Sequence, residues 1–291
     1  MTSPALIAER PRYSLEVRGR RLALGERTLV MGILNVTPNS FSDGGLFADA
    51  ERALSRGVTL FEAGADIVDV GGESTRPGSA QVAADEELRR VVPVIEALRR
   101  RGPGLVSVDT SKAAVARAAL DAGADIVNDV SGFRFDPSLA SLVAERGTPA
   151  VLMHLRGDFA GMHERPAYRD VMGEILAELR ESLARAARAG VAGERLILDP
   201  GIGFAKDASH SLEALRRLPE LHALGRPLLV GPSRKSFIGQ VTGRPVAERL
   251  FGTAAAVAAC VLKGAHVVRV HDVAEMRDVV VACDAILGDS A

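Results

Sequence analysis

The chain has 291 residues, of which 47% are hydrophobic and 25% are charged, and this balance excludes an intrinsically disordered protein. Its formal net charge is −1, from 36 basic and 37 acidic residues, which is not the charge balance of a protein that binds nucleic acid or a membrane surface. The sequence contains no apolar run long enough to span a membrane, no apolar export signal and no metal-type cysteine spacing, so we expect a cytoplasmic protein without nucleic-acid or membrane partners.

The first predicted element is a β-hairpin, because the segment YSLEVRGRRLAL alternates in polarity on both sides of Arg18-Gly19. Eight apolar, β-branched segments follow, each typical of a buried strand. They lie at Leu29–Leu34, Ile67–Val70, Leu105–Val108, Ile126–Val130, Ala150–Met153, Leu196–Leu198, Leu228–Val230 and Val267–Val270. Amphipathic helices are predicted after them, at residues 48–63, 85–100, 112–122, 137–146, 168–189, 208–224, 246–263 and 273–287.

Eight strand–helix units in about 260 residues predict an α/β protein of the (β/α)₈ TIM barrel class. A doubly wound sheet is the alternative, although it rarely has eight such even units. We expect residues 1–28 to form an N-terminal segment whose hairpin closes the bottom of the barrel. Residues 29–291 contain no linker-like stretch, so we expect them to form a single domain.

In such a barrel, the carboxyl ends of the strands surround one mouth, and barrel enzymes have their active sites there. The polar residues at these predicted strand ends are Asn35, Glu73, Thr75, Arg76, Asp109, Asn128, Asp129, His154, Asp199, Ser233, Arg234, Lys235, Arg269 and His271. All three asparagines of the chain lie in these strand ends or in the loops that follow them. Lys112 and Lys206, two of the four lysines, lie nearby.

Asp109, Asn128 and Asp199 end strands that are otherwise apolar. A buried polar group without a partner costs about 1–3 kcal/mol, so these side chains are expected to face a polar ligand or each other. Two carboxylates and an amide suit a flat heterocycle with adjacent N–H donors. Asp109 has the alternative role of a helix N-cap, because Thr110-Ser111 begins a helical segment.

Asn35, Arg269 and His271 come from the first and last strands, which are neighbours in a closed barrel. Two basic side chains and an amide suit a phosphate, or a phosphate–Mg²⁺ pair that uses the Asn35 oxygen. Lys235 could instead form a Schiff base, as in barrel aldolases, but the neighbouring cation Arg234 also suits a carboxylate or phosphate. Met153 and His154 could simply be core residues.

Seven segments resemble motifs of the dihydropteroate synthase family of folate biosynthesis: MGILNVTPNSFSDGG, DIVDVGGESTRPG, SVDTSK, DIVNDVSG, LILDPGIGFAK, GPSRKSFIG and RVHDV. The resemblance covers about residues 29–287, in order. It implies a homodimeric transferase that condenses 6-hydroxymethyl-7,8-dihydropterin pyrophosphate with 4-aminobenzoate and releases pyrophosphate. It also implies a target of sulfonamides.

The resemblance assigns roles to particular residues. The catalytic residues would be Asp109, Lys235, Arg269 and Asn35. The pterin would be bound by Asp109, Asn128, Met153, Asp199, Phe204 and Lys235. The pyrophosphate would be bound by Asn35 through Mg²⁺, and by Thr75, Arg269 and His271. The aminobenzoate would be bound by Phe41, Thr75, Arg76, Pro77, Lys235 and Ser236.

These substrates imply a dissociative, SN1-like substitution. The aniline nitrogen is already neutral at pH 7, so the expected difficulty is cleavage of the C–O bond at the exocyclic methylene. We expect the pterin pyrophosphate to bind first and the loops after the first two strands to close over the site.

One segment departs from the family pattern: MHLRGDFAGMHERP stands where many members read close to MHMQGTPxxMQ.

Three other functions are alternatives. A pterin-binding methyltransferase barrel would not need the STRPG or SRKSF motifs. A catalytically silent paralogue should have lost loop or cationic residues, and these are present. A phosphate-sugar aldolase would form an imine at Lys235.

Overall fold

A computed structural model describes residues 7–36, 45–74, 81–158 and 167–288, with the backbone alone for residues 45–50. Strands β1 (Tyr13–Val17) and β2 (Arg20–Leu24) pair antiparallel. The turn between them has positive φ at both residues, 49° at Arg18 and 70° at Gly19. Two consecutive left-handed residues are characteristic of a type I′ turn, which matches the twist of a hairpin. The predicted hairpin is therefore confirmed.

Eight parallel strands form the second sheet. They are β3 (Leu29–Asn35), β4 (Ile67–Gly71), β5 (Leu105–Asp109), β6 (Ile126–Asp129), β7 (Ala150–Met153), β8 (Leu196–Asp199), β9 (Leu229–Val230) and β10 (Val267–Val270). Their order is β8-β7-β6-β5-β4-β3-β10-β9, and a parallel bridge between Leu198 and Leu228 joins the two ends. The TIM barrel prediction is confirmed.

The helices are α1 (Gly45–Glu62), α2 (Ala84–Arg101), α3 (Ala113–Ala122), α4 (Pro137–Arg146), α5 (Val171–Arg188), α6 (Ala208–Arg216), α7 (Ser236–Thr242), α8 (Leu250–Leu262) and α9 (Val273–Leu287). Helix α7 was not predicted, and the predicted helix at 208–224 divides into α6 and a 3-10 segment at Leu218–Leu224. Across the described part of the chain, no helix combines the length and apolar character needed to cross a membrane.

Side chains alternate between the two faces of the barrel wall. Val68 and Val268 pack outward against the helices, whereas Met31, Ile67 and Val267 pack inside the barrel near its amino-terminal end. Because this period is fixed, the next inward positions toward the carboxyl ends fall on the polar residues discussed below.

The hairpin packs against the inward side chains at the amino-terminal end of the barrel. Its residues Leu15, Val17 and Leu24 are almost fully buried and belong to the same apolar cluster as the lower inward positions, including Val267 of the last strand. The polar mouth at the other end therefore lies above an apolar floor.

The two ends of the described chain also meet. The buried Arg10 guanidinium pairs with Asp284 of α9 at 2.8 Å, and the backbone N–H of Thr28 donates to the same carboxylate at 2.7 Å. This buried cluster joins the N-terminal segment to the last helix.

Candidate functional site

Asp69 lies at the centre of the polar interior, although sequence analysis did not select it. Its side chain is fully buried, and one oxygen, Oδ2, accepts hydrogen bonds from Asn128 Nδ2 at 2.9 Å and from Arg269 Nε at 2.7 Å. The other oxygen has no hydrogen-bond partner among the described residues. Asp69 thus links strands β4, β6 and β10 inside the barrel.

Asp109 and Arg269 form the second ion pair of this interior. Arg269 Nη2 donates to Asp109 Oδ2 at 2.7 Å, so one guanidinium joins two carboxylates from neighbouring strands. Burial raises the pKa of Asp109 to about 7, and the positive charge of Arg269 opposes that shift. The N-cap position of α3 is occupied by Lys112, while the Asp109 carboxylate faces into the barrel. The alternative role of Asp109 as a helix cap is therefore wrong.

Asp199 ends β8, and Lys235 lies in the turn after β9, so the two residues come from neighbouring units at the barrel seam. Asp199 is buried, and its Oδ1 accepts a hydrogen bond from the N–H of Gly201 at 2.7 Å. Burial lowers the pKa of Lys235 to about 8, an effect that Arg269 reinforces and Asp199 opposes. The Lys235 Nζ atom lies 3.8 Å from the centre of the Phe204 ring, within the range of a cation–π contact.

Phe204 and Met153 supply an apolar wall beside these polar groups. Met153 is buried in a small cluster with Val130, Leu155 and Ala205, and Phe204 packs against it. The structure thus brings together the two apolar side chains that the resemblance assigned to the pterin. The edge of a flat ligand that rests on this wall would face the carboxylate and amide groups of the protein.

The Asn35 side chain ends β3 beside Gly71, where an added Cβ would lie 3.8 Å from Asn35 Oδ1 and 3.6 Å from Asp109 Oδ2. No described residue forms a hydrogen bond to the Asn35 side chain, so its oxygen can accept a ligand. Magnesium in phosphate sites takes few protein oxygens, with substrate phosphates and waters as the other ligands. The described residues contain no cluster of three His, Cys, Asp or Glu that could hold a metal. A single amide oxygen fits a magnesium ion carried mainly by phosphates.

His271 directly follows β10, on the same side of the mouth. Its Nδ1 lies 3.0 Å from Ser233 Oγ, which also accepts the backbone N–H of His271 at 3.2 Å. Burial, reinforced by Arg269 and Arg234, lowers the pKa of His271 to about 3. The imidazole is therefore neutral at neutral pH in this structure and would meet an anion as a hydrogen-bond donor.

The turn that carries Lys235 is fixed from several sides. Arg234 has a positive φ of 58°, its guanidinium forms a two-point ion pair with Asp272, and its N–H donates to Thr253 Oγ1 at 3.1 Å. Ser236 follows as the exposed first residue of α7. The turn therefore holds Lys235 and Ser236 at the mouth.

Four residues of the predicted site, all assigned to the aminobenzoate, lie outside the described part of the chain: Phe41, Thr75, Arg76 and Pro77. The segment that departs from the family pattern is described up to Asp158. Its Arg156 pairs with Glu174 and Glu178 of α5, each at 2.5 Å, and lies over the ring of Tyr168. The unusual arginine thus faces the helix layer.

Sequence reasoning also missed a buried ion cluster behind β4. Lys112 Nζ donates to Glu87 at 2.5 Å and to Glu73 at 3.0 Å, and Glu73 accepts the backbone N–H of Val82. Glu87 is fully buried.

The sequence does contain a signal for Asp69, because strand alternation from Ile67 places it on the inward face. It was missed because only residues at the ends of strands were selected. The long-range partners of Lys112 had no such signal.

Comparison with known proteins identifies the family. Residues 31–271 match the pterin binding enzyme family. Over 263 residues the chain is 48% identical to the dihydropteroate synthase of Synechocystis sp. (strain ATCC 27184 / PCC 6803 / Kazusa), a match that covers 90% of this chain and 91% of that protein. The chain belongs to the dihydropteroate synthase family.

Solved structures of this family agree with the fold. Dihydropteroate synthase of Xanthomonas albilineans with 4-aminobenzoic acid has a TM-score of 0.89 and 45% identity, covering 95% of this chain and 99% of that chain. The same protein in complex with 7,8-dihydropteroate has a TM-score of 0.85 and 43% identity, with the same coverage. The resemblance stated from the sequence is confirmed, and membership of the dihydropteroate synthase family makes this chain a transferase.

Proposed function

We propose that the chain condenses 6-hydroxymethyl-7,8-dihydropterin pyrophosphate with 4-aminobenzoate to give 7,8-dihydropteroate and pyrophosphate. The observation that carries the proposal is the connected interior of Asp69, Asp109, Asn128 and Arg269 at the mouth of a barrel of this family. Carboxylate and amide groups match the N–H donors and acceptors at the edge of a pterin. The apolar wall beside them matches its flat face.

The proposed pterin subsite uses Asp109, Asn128 and Asp199 for the ring edge. Lys235 reaches the carbonyl and N5 side of the ring, while Met153 and Phe204 pack on its face. The contact between Lys235 and Phe204 and the common cluster of Phe204 and Met153 support this assignment.

The proposed pyrophosphate subsite uses Asn35, Arg269 and His271, together with Thr75. Arg269 serves two purposes, because the guanidinium that would meet the anion is held in place by Asp69 and Asp109. Asn35 would hold Mg²⁺, which supplies positive charge to the leaving group when it is bound. The Asn35 side chain at the end of β3, to which no described residue forms a hydrogen bond, supports this role.

The proposed aminobenzoate subsite uses Lys235 and Ser236 for the carboxylate. The remaining members, Phe41, Thr75, Arg76 and Pro77, rest on the family resemblance alone and lie outside the described residues. A sulfonamide that mimics aminobenzoate should compete at this subsite.

The proposed chemistry is dissociative. Arg269 and His271 stabilise the departing pyrophosphate, and the buried carboxylates of Asp109 and Asp199 stabilise the positive charge that spreads over the pterin. Asp109, Lys235, Arg269 and Asn35 would be the catalytic residues. This scheme requires the pterin pyrophosphate to bind before 4-aminobenzoate, so aminobenzoate should bind weakly to enzyme that lacks both pterin and pyrophosphate.

The deciding experiment measures pyrophosphate release from the pterin substrate with and without 4-aminobenzoate, and identifies the organic product by mass spectrometry. We expect release that depends on aminobenzoate, with dihydropteroate formed in equal amount. Release without a pteroate product, or no release, would overturn the proposal. Tight aminobenzoate binding to the free enzyme by calorimetry would overturn the binding order.

We also propose that the chain is a cytoplasmic homodimer in which residues 29–291 form one domain and residues 1–28 form the closing segment. The free cysteines Cys260 and Cys283, both buried, suit a reducing compartment. The outer faces of α8 and α9 expose Phe251 by 86% and Ile286 by 70%, which suits a second copy of the chain.

Light scattering tests the dimer. We expect a mass of twice the 30.6 kDa of the chain, and a monomer for Phe251→Glu. The control Ala114→Glu, at an exposed position of α3 across the barrel from α8, should remain dimeric. A monomeric wild-type chain at micromolar concentration would contradict the proposal.

A further inference from the structure

The loop between β8 and α6 has an unusual backbone. Gly201, Gly203 and Ala205 all have positive φ, of 67°, 77° and 45°. An alanine is strained in this left-handed region. Gly201 is also pressed against the end of β7, since an added Cβ would lie 2.0 Å from the carbonyl oxygen of His154. A loop of this shape requires external contacts to hold it.

The Lys206 side chain supplies such contacts from inside the protein. Only 6% of this residue is exposed, and its Nζ donates to the carbonyl oxygens of Gly201 and Phe204, both at 3.1 Å. The third neighbour of Nζ is Nδ1 of His154, at 2.8 Å. An ammonium group has three donors, and these three acceptors use all of them.

His154 extends this arrangement to helix α5. Its Nε2 lies 3.0 Å from Glu178 Oε2, an ion-pair distance without hydrogen-bond geometry, and the tautomer protonated at Nε2 leaves Nδ1 to accept from Lys206. Burial lowers the pKa of Lys206 to about 7, while Asp199 and Glu178 favour its charged form and Arg156 and Lys235 oppose it. The negative charge of Glu178 therefore lies near Lys206, on the far side of the His154 ring.

Tyr168 holds the same loop from the other side. Its hydroxyl donates to the carbonyl oxygen of Ala205, the strained residue, at 3.1 Å. The ring of Tyr168 is in turn covered by Arg156, whose guanidinium lies 4.0 Å from the ring centre. Arg156, at which this chain departs from the family pattern, thus packs on the tyrosine that holds the loop.

We infer that Lys206 is a positioning residue of the enzyme: it fixes the loop after β8 so that Phe204 faces Lys235 and forms one wall of the pterin subsite. Phe204 lies between the two lysines, with its carbonyl bonded to Lys206 and its ring 3.8 Å from Lys235 Nζ. The inference rests on the proposed function, because it assumes that Phe204 and Lys235 bind the pterin.

The test compares Lys206→Met, Lys206→Arg and the control Lys263→Met, which removes another buried lysine outside the loop. We expect Lys206→Met to weaken pterin binding and to raise the KM for the pterin substrate about tenfold, the effect of losing about 1.4 kcal/mol. The KM for 4-aminobenzoate should change by less than about twofold, since its subsite does not use this loop. Lys206→Arg should recover part of the loss, and Lys263→Met should leave both KM values unchanged.

Pterin binding is measured directly by titrating the protein with 6-hydroxymethylpterin and following its fluorescence, and folding is checked by urea denaturation. If Lys206→Met lowers stability but leaves the pterin Kd and KM unchanged, or raises both KM values equally, the inference is wrong. If the wild-type chain neither binds the pterin nor forms dihydropteroate, the proposed function fails instead.

A milder variant keeps the test decisive if Lys206→Met does not fold. Tyr168→Phe removes only the hydrogen bond to Ala205. We expect a smaller rise in the pterin KM, about twofold to fivefold, consistent with the loss of one hydrogen bond of about 0.5–1 kcal/mol. An unchanged pterin KM in this variant would count against the positioning role.

Discussion

Replacing Asp69 tests whether the polar interior is built around this carboxylate. In Asp69→Ala, Arg269 Nε and Asn128 Nδ2 both lose their acceptor in a fully buried setting. Each unsatisfied buried donor costs about 1–3 kcal/mol, so the two together predict a loss of about 2–6 kcal/mol of unfolding free energy. Because Arg269 keeps its pair with Asp109, we expect a value near the middle of that range.

The variant Asp69→Asn separates the shape of the side chain from its charge. An amide oxygen can still accept both hydrogen bonds, but they lose the strength that an ionised acceptor gives them. That difference is about 1–2 kcal/mol. We therefore expect Asp69→Asn to lie between the wild-type protein and Asp69→Ala in stability, with weaker pterin binding in both variants because Asn128 and Arg269 lose their orientation.

Urea denaturation followed by circular dichroism measures these losses, and the pterin titration measures the effect on the site. Ser107→Ala is the matched control, since Ser107 is buried at the register position beside Asp69 and its hydroxyl has no hydrogen-bond partner among the described residues. Its loss should change stability by less than about 1 kcal/mol. A wild-type stability for Asp69→Ala, or equal losses for Asp69→Asn and Asp69→Ala, would refute this reasoning.

Two further outcomes follow from buried charge. Burial and the neighbouring Lys206 lower the pKa of His154 to about 4, below its usual 6.5. Between these two values the unfolded chain binds a proton that the folded protein does not. His154 therefore contributes up to about 3 kcal/mol to the free energy of unfolding above pH 6.5, and this contribution is lost as the pH falls toward 4. His154→Gln should flatten the plot of unfolding free energy against pH in that window, and an unchanged slope would contradict it. Lys112→Met leaves the fully buried Glu87 without its cation and should cost about 3–5 kcal/mol by urea denaturation. The matched variant Arg117→Met, at an exposed ion pair, should cost no more than about 1 kcal/mol, and similar costs for both would count against burial as the cause.

The barrel was predictable because each of its parts repeats a simple pattern. Strand β5, for example, was expected at Leu105–Val108 and is observed at Leu105–Asp109. The short helix α7 was missed because its sequence SFIGQVT has a central glycine and too few residues to show a helical period.

The site was predictable where its residues end strands and unpredictable where they meet across the chain. Asn128 and Arg269 were selected because a polar residue stood at an apolar strand end, and they do share a partner. That the partner is Asp69 depends on strand register, and the contact of Lys206 with His154 depends on how two loops pack. Neither of these two contacts can be read from the local sequence pattern.

The hairpin at the amino-terminal end of the barrel has a consequence for the order of folding. It is the first element of the chain, yet its apolar residues share a cluster with Val267 of the last strand, and Thr28 just after it bonds to Asp284 of the last helix. Contacts so distant in sequence form slowly, because a long loop must close before they are made. We therefore expect the hairpin to dock last, as the seal that completes the barrel. While the chain is still being synthesised, the apolar side chains of the hairpin would therefore stay exposed until the last strand and helix have been made.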